Sequence, residues 1–232
     1  MYFRRALVTA AALSLLGLVT ACGDSEASYP DFDDDEFPID QMVLTVADVP
    51  ETGMIELGTS AFDNAEAAET FAAEGDDIDA RERQLEAQGR IRSFVSVFGW
   101  EQPVEHLGRI QNVFSQSTLF ADEDSAEQSL KEFCDLQQYD PSATNDIQTL
   151  VVPQIAESSS GLQIKLVQEQ LGESTDTVVC FRTGRVVHSV VRSGFDGTQD
   201  LGATISLART LLRRVDLAYA GYDFGDEEDD EG

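Results

Sequence analysis

Basic residues are scarce in this chain: 15 lysines and arginines stand against 44 aspartates and glutamates, giving a formal charge of −29. Such a surface repels phosphate backbones and anionic headgroups. It argues against nucleic-acid binding and against peripheral docking on an anionic membrane, and leaves a cationic partner or metal ions as the permitted direction. Histidine and cysteine are also rare, at two and three residues. Neither H-E-x-x-H nor a paired-cysteine spacing occurs, so no transition-metal site and no cofactor are expected. The G-x-S-x-G elbow, the glycine-rich phosphate loop and the dinucleotide fingerprint are missing too, and Ser158-Ser159-Ser160-Gly161 reads as a loop. A serine and an acid could gather around His188 in space, since triads are defined by geometry rather than order. A lone strand histidine is more often a core or edge residue, and His106 falls in a connection. The chain therefore reads as non-enzymatic, with no catalytic residue assigned.

Long apolar runs are lacking as well. The stretch Leu7 to Val19 falls short of the roughly 20 residues that span a bilayer. It is preceded by Arg4 and Arg5 and followed by Val19-Thr20-Ala21-Cys22, the layout of an export signal. Small residues at Val19 and Ala21 suit ordinary signal cleavage, but their position before a cysteine resembles the lipobox of bacterial lipoproteins. That resemblance implies cleavage before Cys22 and diacylation of its sulfur, leaving the chain lipid-anchored to the cell membrane on the extracytoplasmic side. Two acyl chains hold firmly where one holds only marginally.

Residues 1–21 are accordingly read as a signal peptide, 22–41 as the lipidated cysteine and an acidic tether, 42–220 as one domain, and 221–232 as a disordered acidic tail. Asp24 to Asp40 contains eight acids and the end from Tyr222 seven more, runs that are usually solvated and self-repelling. A flexible tether of that length reaches roughly 25 Å. Asp31, Asp33 and Asp35 alternate as in a calcium loop, yet Glu36 and Met42 stand where an EF-hand needs glycine and glutamate. Once Cys22 is acylated, Cys134 and Cys180 remain as an even pair in an exported chain. They read as a disulfide, with two buried thiols as the alternative.

Within the domain, Met42 to Val46 is apolar and β-prone. Asn64 to Glu74 and Asp79 to Gln88 have helical spacing. Ile91 to Trp100 and Arg109 to Phe120 alternate as a strand pair, and Asp124 or Ser125 caps a helix running to about Leu136. Strands are expected at Ile147 to Val152, Leu162 to Leu171, Thr177 to Arg182 and Arg185 to Arg192, the last two joined by a turn at Thr183-Gly184. A closing helix, capped by Thr198, carries Leu201, Ile205, Ala208, Leu212 and Val215 as one stripe. This order predicts an α+β fold: an antiparallel sheet with helices packed on one face, and a strand-strand-helix order recurring at Ile91–Leu136 and Thr177–Val215 as a duplication would leave it.

The stretches Leu44-Thr45-Val46-Ala47-Asp48-Val49-Pro50, Leu85-Glu86-Ala87-Gln88-Gly89-Arg90 and Phe181-Arg182-Thr183-Gly184-Arg185-Val186-Val187 resemble a group of small bacterial lipoproteins. At fold level the chain is distantly similar to extracytoplasmic sensor modules of bacterial kinases. Arg182 and Arg185 flank the hairpin turn in a base-poor domain and are candidates to contact an anionic ligand, with pairing to nearby acids as the plainer account. Trp100 is a candidate to line a hydrophobic recess, with core packing as its plainer account. The expected function is binding or sensing of a small molecule or protein by a membrane-anchored module. The alternative is a structural or assembly accessory working through protein contacts.

Overall fold

The computed structural model describes residues 29–72, 75–132, 144–168, 172–195, 200–222 and 224. Cys22, Cys134 and most of the acidic tail lie outside them. Seven strands form one sheet: β1 (Ile55–Phe62), β2 (Arg90–Gly99), β3 (Ile110–Phe120), β4 (Thr144–Leu150), β5 (Ser158–Gln168), β6 (Gly172–Thr183) and β7 (Val186–Phe195). Their spatial order is β1-β2-β3-β7-β6-β5-β4, and every neighbouring pair is antiparallel. Two meanders thus meet where β3 pairs with β7, and β1 and β4 are the edges.

Among the described residues, four helices accompany the sheet: α1 (Asn64–Thr70), α2 (Ile78–Ala87), α3 (Glu123–Lys131) and α4 (Leu201–Tyr219). Each starts on an aspartate whose carboxylate accepts a free first-turn N–H. Asp63 takes that of Glu66, Asp77 that of Ala80, Asp122 that of Ser125, and Asp200 that of Ala203. The cap of α4 is therefore Asp200 rather than Thr198.

The expected antiparallel sheet with helices against it is present, but the helices are divided between its two faces. On β6, Val179 and Phe181 pack in one core cluster with Leu207, Leu211 and Val215 of α4. Their alternate neighbours Val178 and Cys180 pack in another with Ala126 and Leu130 of α3. Successive strand residues point to opposite faces, so α3 and α4 lie on opposite sides. This also decides the repeat. A two-fold axis relating antiparallel β3 to β7 would stand perpendicular to the sheet and keep both helices on one side, so the recurring order is not a symmetric duplication. Double coverage explains why β6 and β7 read as nearly continuous apolar runs.

Three local expectations are corrected. Met42, Val43 and Leu44 are buried but not a strand; they cross the α4 side of β2 and β3 and lead into a short 3-10 turn at Val46–Asp48. The backbone of Leu44 bonds to side chains instead of a ladder: its N–H reaches Ser115 Oγ at 3.1 Å, and its C=O accepts from Ser96 Oγ at 3.0 Å. Ser158-Ser159-Ser160-Gly161 opens β5, opposite Arg182, Phe181, Cys180 and Val179, because the β6 ladder outweighs weak strand propensity. The turn between β6 and β7 is Gly184-Arg185, one residue later than expected, with Gly184 at φ +54°.

The segment read as a solvated tether up to residue 41 joins the fold from Tyr29 onward. Phe37 and Ile39 are each only 3% exposed and belong to the α4-side core. The acids around Phe32, Phe37 and Ile39 hide an apolar pattern strong enough to dock. Phe37→Ala should therefore lower unfolding stability by about 3 kcal/mol, measured by urea denaturation, while Asp33→Ala should stay within about 0.5 kcal/mol.

Candidate functional site

One polar group in the interior centres on His188, which is fully buried on the α4 side of β7. The antiparallel registers place it opposite Ser117 of β3 and Phe181 of β6. Its Nδ1 lies 2.7 Å from Ser117 Oγ, its Nε2 lies 2.8 Å from Thr183 Oγ1, and its ring stacks on Phe181 at 4.8 Å. Ser117 Oγ in turn donates to the C=O of Met42. At the other end, Tyr219 Oη of α4 donates to the C=O of Thr183 at 3.2 Å and lies 3.3 Å from Thr183 Oγ1.

The proton positions follow from donor counting. A carbonyl cannot donate, so the single proton of Ser117 goes to Met42. The short contact with His188 must then be Nδ1–H donating to Ser117 Oγ. His188 is therefore the Nδ1–H tautomer, and Thr183 Oγ1–H donates to its Nε2. Burial pushes the His188 pKa from 6.5 down to about 3, so the ring is neutral at any ordinary pH. A general base would need the reverse arrangement, with a bare nitrogen accepting the serine proton. The serine, histidine and threonine here fasten β3, β7, β6, α4 and the Met42 segment together.

Neither candidate arginine is left open to a ligand. Arg182 has Nη1 2.6 Å from Glu157 Oε2 and Nε 3.1 Å from Glu127 Oε2, and also donates to the Gly184 C=O at 2.6 Å. Arg185, on the turn, donates from Nε to Asp31 Oδ1 at 2.7 Å and from Nη1 to Asp34 Oδ1 at 2.6 Å. Its Nη1 also reaches the Phe120 C=O at 3.0 Å, its Nη2 reaches the Phe32 C=O at 2.6 Å, and its guanidinium carbon lies 5.0 Å from the Phe37 ring centre. The anions that both meet here belong to the chain itself. Asp31, considered above as a calcium ligand, is one of them.

Trp100 packs as a core residue. It is buried, donates from Nε1 to the Ile110 C=O at 2.7 Å and stacks on His106 at 4.0 Å. The three candidates do not converge. Arg182 and Arg185 share the β6–β7 turn, while Trp100 stands at the end of β2.

Sequence reasoning missed the surface around residues 29–41. Tyr29 and Phe32 rest on Tyr219, with ring centres at 4.8 and 6.2 Å, and Phe32 meets Phe37 edge-on at 5.4 Å. Tyr29 Oη approaches Asp216 Oδ1 at 3.4 Å, and burial raises the pKa of Tyr29 to about 12. Two recesses flank this segment. One, of about 450 Å³, is lined by Phe32, Gln41, Tyr219 and Tyr222 among others; the second, of about 460 Å³, by Phe37, Ala61, Arg92 and Phe94 among others. The signal for this docking was present in the spacing of Tyr29, Phe32, Phe37 and Ile39, masked by the acids around them.

No protein-family model and no curated relative matches the chain. Among solved structures, it is similar to the extracellular domain of PknH from Mycobacterium tuberculosis, with TM-score 0.49 and 8% identity, covering 80% of this chain and 100% of that one. A likeness at that level assigns neither family nor activity. Among the described residues, no helix is long and apolar enough to cross a membrane.

The depressed pKa of His188 gives a pH test. Between about 6.5 and 3 the unfolded chain binds a proton that the folded chain refuses, so the contribution of this group to stability is full above 6.5 and is lost as the pH falls through that window, at about 1.4 kcal/mol per pH unit. Urea titrations between pH 4 and 7 should show a shallower pH slope for His188→Gln than for the parent chain. Equal slopes would mean that the histidine is protonated in the fold.

Proposed function

We propose that this chain is an extracytoplasmic lipoprotein, anchored through an acylated Cys22, whose folded domain binds or senses a ligand rather than transforming one. The observation that supports the non-catalytic part is the burial of His188, whose two ring nitrogens are taken up by Ser117 and Thr183 inside the core, out of reach of a substrate. The anchoring part rests on Arg4, Arg5 and Val19-Thr20-Ala21-Cys22. Docking from Tyr29 onward changes how such an anchor acts. The leash is then residues 23–28 instead of the whole acidic stretch, and its contour allows at most about 25 Å between lipid and domain.

Pairing of Cys134 with Cys180 belongs to the same reading. Cys180 is fully buried against Ala126 and Leu130 of α3, from whose end the chain runs on toward Cys134. Intact mass measurement of the protein extracted from its own membrane tests both points. The expected species begins at Cys22, carries acyl mass and lacks two hydrogens, and Cys22→Ala should move the protein out of the membrane fraction. An unmodified Cys22 would end the anchored reading.

A second reading, an accessory acting through protein contacts, is favoured by one observation. Edge strand β1 is exposed from Ile55 to Ala61, with Leu57 52% exposed. Its unpaired backbone groups form a template for adding another strand. If that edge recruits a partner, Leu57→Lys should abolish co-purification of the partner while leaving the melting temperature within about 2 °C.

A further inference from the structure

Residues 29–36 lie on the fold as a peptide lies on a receptor. Arg185 fixes this segment from one side through the carboxylates of Asp31 and Asp34 and the C=O of Phe32. Arg92 of β2 fixes it from the other, donating from Nη2 to the C=O of Asp34 at 2.8 Å and of Phe37 at 3.0 Å. Between the two arginines, Tyr219 supports Tyr29 and Phe32. These contacts read a definite chemistry: an aromatic residue with a carboxylate one position before and two positions after it, in an otherwise acidic stretch. Recognition of acidic segments by buried or half-buried arginines is a recurrent binding mode.

The segment is held unevenly. Phe37, Ile39 and Met42 are core, whereas Asp31 and Asp34 keep 77% and 58% of their side chains in water although their partner Arg185 is nearly buried. Recesses of about 450 and 460 Å³ flank the segment, one between it and Tyr219 and the other between it and Arg92. We infer that the groove formed by Arg185, Arg92 and Tyr219 is a receptor site for an acidic, aromatic peptide, occupied in cis by Tyr29–Glu36 and available to a partner's segment of the same chemistry by exchange. This deepens the binding-module reading above and rests on it, naming the ligand class. The cis segment acts at high effective concentration, so a free peptide competes poorly until that segment is weakened.

The test uses the full chain in detergent and a fluorescent synthetic peptide with the sequence of residues 29–36. The cis segment is loosened by Asp31→Asn, Phe32→Ala and Asp34→Asn together, which leaves Phe37, Ile39 and Met42 in place. The loosened chain should bind the peptide saturably by anisotropy, at least about tenfold more tightly than the parent chain. Adding Arg185→Gln, or Arg185→Lys, which keeps the charge but loses the fork, should abolish that gain with circular dichroism unchanged. A scrambled peptide of identical composition should bind no better to either chain. Absence of saturable binding, equal binding of the scrambled peptide, or indifference to both Arg185 variants would overturn the inference. Failure of the loosened chain to fold would do so as well, because residues 29–36 would then be core. If the peptide is rejected while another ligand raises the melting temperature, the binding-module reading stands and only the peptide falls.

Discussion

The structure depends on keeping backbone polar groups satisfied where an extended segment crosses a sheet without joining it. Met42 to Leu44 lie buried over β2 and β3, and their carbonyls and N–H groups have no ladder to enter. Each unmet group would cost roughly 1–3 kcal/mol. Three serine hydroxyls on one face, Ser96, Ser115 and Ser117, take that role. Serine is small enough to let the segment approach and polar enough to bond it. Ser117 has one proton and gives it to Met42, which is why it needs a donor behind it. His188 is that donor, and its second nitrogen is satisfied by Thr183. A strand-borne histidine surrounded by valines thus has a structural reason to exist.

The scarcity of bases takes on a different meaning once their partners are known. Arg214 of α4 donates to the Val43 C=O at 2.8 Å and lies 3.5 Å from Asp48. Arg192 of β7 pairs with Glu51, and Arg90 of β2 reaches Asn64 Oδ1 at 2.7 Å and Ser93 Oγ at 2.6 Å. With Arg182 and Arg185, these side chains tie loops and helix starts to the sheet through short, charge-assisted bonds. A buried guanidinium without a partner would be strongly destabilising. Local acids answer that need, so part of the acidic surplus is internal counter-charge.

The α+β class, strands β2, β3, β6 and β7 and the presence of α4 followed directly from alternation and helical spacing, whereas β1 was not read as a strand and the buried face of α4 runs through Thr204, Leu207 and Leu211 beside the expected Ala208 and Val215. Helix starts were readable to within two residues, since aspartates precede them. The division of helices between two faces was not. Val178, Val179, Cys180 and Phe181 are all apolar, and such a run carries no parity to assign a face. Met42 to Val46 was read as strand because burial and β-branching signal the same thing in a crossing segment as in a ladder; only the distant serines distinguish them. Arg185 was singled out as a candidate to contact an anionic ligand. Its partners lie about 150 positions earlier in a segment whose composition says solvent, and one chain's composition does not record which acids are paired.

That last point bears on what kind of surface the N-terminal segment makes. An ion pair with carboxylates largely in water contributes little by itself, because solvent screens it and long side chains lose freedom to hold it. The contacts of Asp31 and Asp34 with Arg185 therefore act chiefly on register, placing Phe32 on Tyr219 and its carbonyl on the guanidinium. Aromatic burial supplies most of the attraction. Farther along, Phe37 and Ile39 are anchored by the core itself. Attachment is thus tight at Phe37, Ile39 and Met42 to Leu44 and looser from Glu36 back to Tyr29. Tension or competition applied at the N-terminal end would loosen the outer contacts first and leave the sheet undisturbed, so this segment is where an external event could change the surface without unfolding the domain.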